Sequence, residues 1–216
     1  MPEAMKYIVV LLLAYLLGSL NFSIIVSKCL LKRDIRDYGS GNAGSTNAYR
    51  VMGGAKTLLV MLGDIGKGIA GALIAGAWFG ELGAYGGLAT LVAGVAVVLG
   101  HMFPVYFGFR GGKGVLTMAA AVGVFDLRVL AISLAVFLVV VLISRYVSLG
   151  SIAAMIAFPI VVWCFYPGNL WYLLVALILS AAVIFLHRGN IKRLLAHNEN
   201  KFSFHRGEKR NGGQVE

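Results

Sequence analysis

Between Lys6 and Lys28 the chain runs for about 21 residues without a charged side chain, long enough for a helix to cross a hydrocarbon core of about 30 Å. Further apolar runs at 57–80, 82–103, 114–125, 129–144, 147–166 and 170–187 make seven candidate spans. The composition agrees: 59% of the residues are hydrophobic, only 13% are charged, and 28 are glycine, as suits packed transmembrane helices. A secretory signal is a poorer reading of the first run, which is too long and precedes no soluble chain. Cys29 and Cys164 are too few and too far apart for a disulfide framework or a cysteine-rich metal site. The net charge of +10 is scattered in short pieces between the spans, so a membrane surface and anionic substrates are the expected partners, not nucleic acid.

The fourth run is short, since residues 114–125 rise only about 18 Å as a helix. A single tilted span over 114–144 is the alternative, but it carries Asp126 and Arg128 into the bilayer, whereas a tight turn leaves them near water. Seven spans is therefore the expected count. The last two runs are divided by Tyr166-Pro167-Gly168-Asn169, a turn signal. With seven spans, the 28–56 segment, Arg110 to Lys113, Arg145 and the C-terminus share one side, which collects nearly all the lysines and arginines. The positive-inside rule makes that side the cytoplasm, with the N-terminus outside. The expectation is an all-α polytopic membrane protein with one domain over 1–202 and a disordered cytoplasmic tail over 203–216.

Three polar segments fall on the cytoplasmic face. The first, "GSGNAGSTNAYR" at 39–50, combines Gly39, Gly41 and Gly44, whose φ freedom lets backbone amides converge on an anion, with side-chain donors from Ser40, Ser45, Thr46 and Asn47. Arg50 offers the planar fork that phosphate geometry favours. A plain glycine-rich connector with one interfacial arginine is the competing reading. The second, "GHMFPVYFGFRGGKG" at 100–114, joins Gly108, Gly111, Gly112 and Gly114 to Arg110 and Lys113. It is not a Walker A loop, since no glycine stands five positions before Gly112-Lys113 and Gly114 occupies the magnesium-binding Ser/Thr position. A glycine turn entering a helix, with Lys113 beside it, remains as a phosphate site. His101 reads as an interfacial histidine. The third, "HRGNIKRLLAHNENKF" at 187–202, reads as a cationic juxtamembrane helix, with Lys192 and Lys201 on lipid and His187 and Asn190 facing the other polar segments. Asp64 and Lys67, inside the second run, are spaced to pair with each other and read as a structural brace ahead of direct chemistry.

Together these segments resemble the bacterial acyl-phosphate:glycerol-3-phosphate acyltransferase family, small integral membrane enzymes that begin phospholipid synthesis. The resemblance covers most of the chain, through Gly39-Ser40-Gly41-Asn42, Thr46-Asn47 and Arg50, then Gly100-His101 and Gly111-Gly112-Lys113-Gly114, then His187-Arg188, Asn190-Ile191 and Glu199-Asn200-Lys201-Phe202. "GDIGKG" and "RYVSLGS" look like family segments too. Ser45 stands where the family commonly has glycine, Arg110 where it has lysine, Leu116 where it has alanine, and His197-Asn198 where Gly-Thr often precedes the glutamate.

The resemblance implies acyl transfer from acyl phosphate to the 1-hydroxyl of glycerol 3-phosphate, giving lysophosphatidic acid and phosphate at the cytoplasmic face of a bacterial inner membrane. It implies no coenzyme A, carrier protein, cofactor or metal, and an acyl-phosphate-producing enzyme as a partner beside the two substrates and membrane lipid. By the same resemblance Arg50 and Lys113 neutralise the phosphates, Ser45, Thr46 and Ser151 hold acyl phosphate, and Ser40, His187 and Asn190 orient the acceptor. Asn42, Asn47, Gly111, Gly112, Gly114, Ser148, Arg188, Arg193, Glu199 and Lys201 complete the implied binding set. Other glycerophosphate acyltransferases use a His-x4-Asp dyad, but the fifth residues from His101, His187, His197 and His205 are Tyr106, Lys192, Phe202 and Arg210. A mixed anhydride is already activated, so positioning and charge neutralisation can carry the reaction, with a substrate phosphate taking the hydroxyl proton. The rival class is an anion or glycerol-phosphate transporter, which requires polar residues continuing through the membrane.

Overall fold

The computed structural model describes residues 2–81 and 87–202, and the tail expected over 203–216 lies outside them. Every described regular element is helical. The first apolar run becomes two helices, α1 (Glu3–Gly18) and α2 (Phe22–Leu31). They are followed by α3 (Ser45–Met52), α4 (Gly54–Phe79), α5 (Leu88–Met102), α6 (Val115–Phe125), α7 (Leu127–Ser144), α8 (Val147–Phe165), α9 (Leu170–Leu186) and α10 (Arg188–Leu195). Among the described residues, five spans are long and apolar enough to cross a membrane, the first being α1 and α2 together, and a sixth arises if α9 and α10, bent by 57°, count as one. α6 is a shorter apolar helix, as its sequence anticipates.

The break between α1 and α2 is fixed by Asn21, whose side chain accepts from Ile24 N at 3.2 Å and caps α2. Its amide donates in turn to Ala43 O at 3.1 Å, tying the break to the first polar segment. α1 lies against α5 at backbone distance, because a Cβ on Gly18 would sit 2.1 Å from Val97 O and one on Gly100 2.2 Å from Tyr15 O. α4 packs on α1, α5 and α6 through small residues, including Gly68, Gly71, Ala72 and Ala75. α7 leans on α8, and α8 on α9, around a core of Val129, Phe158, Val162, Leu179 and Val183.

The chain turns between α6 and α7 as expected, but Asp126 is buried there, not left near water, and is held by partners instead. Asp126 caps α7 through Arg128 N at 2.8 Å, pairs with the Arg128 guanidinium at 2.7 Å and accepts from Tyr166 Oη at 2.7 Å. These three donors hold its carboxyl below the usual range, although burial by itself pushes it up. At the opposite end, the α2–α3 connection is braced by Arg36, which donates to Asp34 and to Phe107 O at 2.7 Å and Arg110 O at 3.1 Å, so the first two polar segments are locked together.

Candidate active site

The polar segments meet around one cavity of about 730 Å³. Ser40, Asn42, Ser45, Thr46, Asn47 and Arg50 line it from the first segment, Lys113 and Gly114 from the second, and His187, Arg188, Asn190, Arg193 and Glu199 from the third. Ser148 and Ser151 enter from the start of α8. Beyond them the wall turns apolar, with Val115, Met118, Val122, Leu130, Phe137, Ala154, Met155 and Phe158 running between α6, α7 and α8. A cationic head thus continues into an arm that suits an acyl chain.

The head is organised by hydrogen bonds among its own members. Lys113 Nζ donates to Asn190 Oδ1. Asn190 donates to Glu199 Oε1 at 2.8 Å, Ser148 Oγ donates to the same oxygen at 3.1 Å, and Arg193 Nε donates to Oε2 at 2.7 Å. Those contacts hold the Glu199 carboxyl below its usual range against the upward push of burial. Lys113 moves to about 8: burial lowers it most, Glu199 opposes, and Arg193 and Arg50 add to the lowering. His187 Nδ1 lies 2.8 Å from Val183 O, and since a carbonyl only accepts, that nitrogen carries a proton. Arg50 makes no hydrogen bond or ion pair among the described residues and lines the cavity exposed. Ser45 opens α3; the amides of Asn47 and Ala48 donate to Gly44 O, which leaves those of Ser45 and Thr46 without a backbone acceptor beside their hydroxyls at the cavity.

Several expected residues are placed differently. Asn47 lines the cavity, but its side chain holds the loop shut, accepting from Ser40 N at 2.8 Å and donating to Tyr38 O at 3.0 Å and Ile35 O at 3.3 Å. Gly111 and Gly112 do not line the cavity; their amides donate to Met102 O and His101 O, both at 3.1 Å. Their use is close approach, since a Cβ on Gly112 would lie 2.2 Å from His101 Nε2 and 2.6 Å from Ala43 O. Lys201 also stays outside, with its ammonium over the Tyr146 ring at 5.8 Å. Ser151 directs its proton to Val147 O at 2.9 Å. Lys192, expected on lipid, lines the cavity instead, because the bend after α9 turns α10 across the cavity mouth.

His101 is no interfacial histidine. It is 3% exposed, and both it and Asp64, at 1%, line the cavity. Asp64 Oδ1 lies 2.9 Å from Lys67 Nζ, which makes the anticipated brace. The sequence signal that could have placed this pair at the site was the cost of two charges inside an apolar run. The apolar arm had no signal of its own, because its residues look like any other span residues.

Comparison with known proteins gives one answer. The glycerol-3-phosphate acyltransferase family model matches residues 8–197. A glycerol-3-phosphate acyltransferase of Clostridioides difficile is 44% identical over 204 residues, 92% of this chain and 97% of its own. One of Chlorobaculum tepidum is 40% identical over 230 residues, 94% of this chain and 99% of its own. Among solved structures, the glycerol 3-phosphate form of PlsY (YgiH), an integral membrane glycerol 3-phosphate acyltransferase, is 39% identical with a TM-score of 0.82, covering 91% of this chain and 96% of that one. Its lysophosphatidic acid form has a TM-score of 0.79 at 38% identity, covering 91% and 95%. With a cationic head, an apolar arm and these likenesses along nearly its whole length, the chain belongs to the PlsY-type glycerol-3-phosphate acyltransferase family.

Proposed function

We propose that this protein transfers a fatty acyl group from acyl phosphate to the 1-hydroxyl of glycerol 3-phosphate. The observation that carries the reading is the single cavity with cations at one end and an apolar arm at the other, which suits a donor made of a phosphate joined to an acyl chain. The relative solved with glycerol 3-phosphate and with lysophosphatidic acid supports the acceptor and the product. Arg50 and Lys113 neutralise the two phosphates; Ser45 and Thr46, with the open amides of α3, hold the donor phosphate, and Ser151 lies along it. Ser40, His187 and Asn190 orient the acceptor, Asn190 being set by Lys113 and Glu199. The hydroxyl oxygen attacks the acyl carbon, the bond from that carbon to the phosphate oxygen breaks, and the departing phosphate takes the hydroxyl proton. The products are lysophosphatidic acid and hydrogen phosphate, and no cofactor or metal is called for. Electrostatic neutralisation of the leaving phosphate in a partly dehydrated pocket supplies the main rate effect.

In this reading all seven apolar runs span the inner membrane of a bacterium, with the N-terminus outside and the active site and C-terminus in the cytoplasm. The cations around the cavity, and the Asp126 turn at the far end of α6, support that arrangement. The enzyme that makes acyl phosphate is the partner that supplies the donor. The test is purified protein with palmitoyl phosphate and glycerol 3-phosphate, without coenzyme A, carrier protein or divalent metal, with lysophosphatidate and phosphate both measured. Equal amounts of the two products are expected. Strict dependence on acyl coenzyme A, or activity abolished by chelator, refutes the reading.

A further inference from the structure

Lys67 is buried between the α1–α2 break and α5, and its three N–H bonds can be followed individually. Nζ donates to Gly18 O at 3.0 Å and Leu20 O at 2.8 Å, carbonyls left open where the helix breaks. The third reaches His101 Nδ1 at 3.0 Å. An ammonium has no lone pair, so Nδ1 accepts and the ring proton stands on Nε2. Asp64 Oδ1 is held at 2.9 Å from the same ammonium as an ion pair, and it lies 3.3 Å from Nδ1. With the ammonium protons directed elsewhere, that oxygen is buried without a hydrogen bond. Nε2 likewise makes none among the described residues; it rests on Gly112, beside Lys113, where the first two polar segments meet.

Beside the enclosed, ion-paired Asp64 Oδ1, the cavity head presents one donor, His101 Nε2, and one acceptor, Asp64 Oδ2, that make no hydrogen bond among the described residues. Buried polar groups are rarely left unpaired, and a ligand hydroxyl, which both donates and accepts, satisfies the two at once. A phosphate does not fit both, since the Asp64 carboxylate repels it, and acyl phosphate has no hydroxyl. We propose that Asp64 and His101 read the 2-hydroxyl of glycerol 3-phosphate, with His101 Nε2–H donating to its oxygen and Asp64 accepting its hydrogen. This rests on the function proposed above, in which the 1-hydroxyl has to approach the acyl carbon and the 2-hydroxyl is free for a fixed contact. Lys67 is a positioning residue that sets the His101 tautomer.

The test compares glycerol 3-phosphate with 3-hydroxypropyl phosphate, which lacks only the 2-hydroxyl. Wild-type kcat/KM should favour glycerol 3-phosphate by about a hundredfold or more, because the analogue leaves two buried groups unpaired. Asp64→Asn and His101→Phe should each reduce that ratio to about tenfold or less, and His101→Gln, which restores a donor, should recover most of it. A purely structural role lowers both acceptors together and leaves the ratio intact. A wild-type ratio near one, or an unchanged ratio in both variants, overturns the proposal. In the wild-type protein, which requires no variant to fold, the nitrogen-15 signal of His101 Nε2 should move on saturation with glycerol 3-phosphate and not with the analogue; an unmoved signal overturns it too. Absence of any acylation of glycerol 3-phosphate by wild type would remove the proposed function itself, whereas turnover with a ratio near one removes only this inference.

Discussion

Raising the pH above neutrality should switch off the charge of Lys113. Half-buried between Asn190 and two arginines, this lysine is brought to about 8 chiefly by burial, with Arg193 and Arg50 adding to the lowering and Glu199 opposing it. The charged form is the one present below that value, so phosphate neutralisation is available at neutral pH and lost as the pH rises. The cationic fraction falls from about nine-tenths at pH 7 to about one-tenth at pH 9, so kcat/KM for glycerol 3-phosphate should drop roughly tenfold per unit on the alkaline side. Substrate phosphates lose their second proton near about pH 6 and do not titrate in that range. Bound dianion raises the lysine again, so the limb in kcat should lie at higher pH than the limb in kcat/KM. Lys113→Arg, which keeps its charge throughout, should flatten the alkaline limb even where its rate is low. Glu199→Gln removes the one group holding the lysine up and should move the limb to lower pH. The assay is initial rate of lysophosphatidate formation from palmitoyl phosphate between pH 6 and about 10, on detergent-solubilised protein of matched monodispersity. A wild-type kcat/KM that stays level through pH 9, or a limb that persists unchanged in Lys113→Arg, refutes the assignment of phosphate binding to the Lys113 charge.

Arg50→Lys keeps the charge but loses the planar two-point fork, and with no hydrogen-bond or ion-pair partner among the described residues to compensate, it should lose roughly tenfold to a hundredfold in kcat/KM while melting like wild type. Full activity would leave Arg50 a simple interfacial cation. Gly112→Ala should raise KM for glycerol 3-phosphate several-fold, because a methyl 2.2 Å from His101 Nε2 and 2.6 Å from Ala43 O has to force the first two segments apart; thermal melts beside the kinetics separate that from unfolding, and an unchanged KM counts against it. Reporter fusions after Arg50, Lys113 and Asn200 should report cytoplasm, and one between Asp126 and Arg128 should report outside; a cytoplasmic signal at the last breaks the seven-span arrangement.

What the sequence determined follows from terms that act locally. Long apolar runs favour helices, and every run read from the sequence carries a helix among the described residues, but five are long and apolar enough to cross a membrane, or six with the bent α9–α10 pair, and the 115–125 helix is shorter than a span. Proline, glycine and asparagine at 167–169 end α8 and cap α9, with Asn169 Oδ1 accepting from Tyr172 N at 3.2 Å. The motif residues pointed to the cationic head, because Arg50 and Lys113 stand in polar segments that the charge distribution puts on one face, with a plain glycine-rich connector as the competing reading of the first.

Tertiary structure decided what those residues do. Asn47 looked like an anion donor, but its amide is engaged by carbonyls of its own loop, contacts set by how the chain turns between α2 and α3. Gly111 and Gly112 looked like a phosphate cradle, yet they exist to let two segments touch, a requirement set by a neighbour in another element. Lys192 changed sides because α10 bends by 57° from α9, an angle that no spacing encodes. His101 was the farthest from view: its burial, its tautomer and its place at the cavity come from Lys67 and Asp64, more than thirty residues away in sequence. Hydropathy and backbone stereochemistry act on one segment at a time and can be read along the chain. Which hydrogen bonds a polar side chain has left for a substrate depends on the groups that packing brings to it, and only the folded chain fixes those.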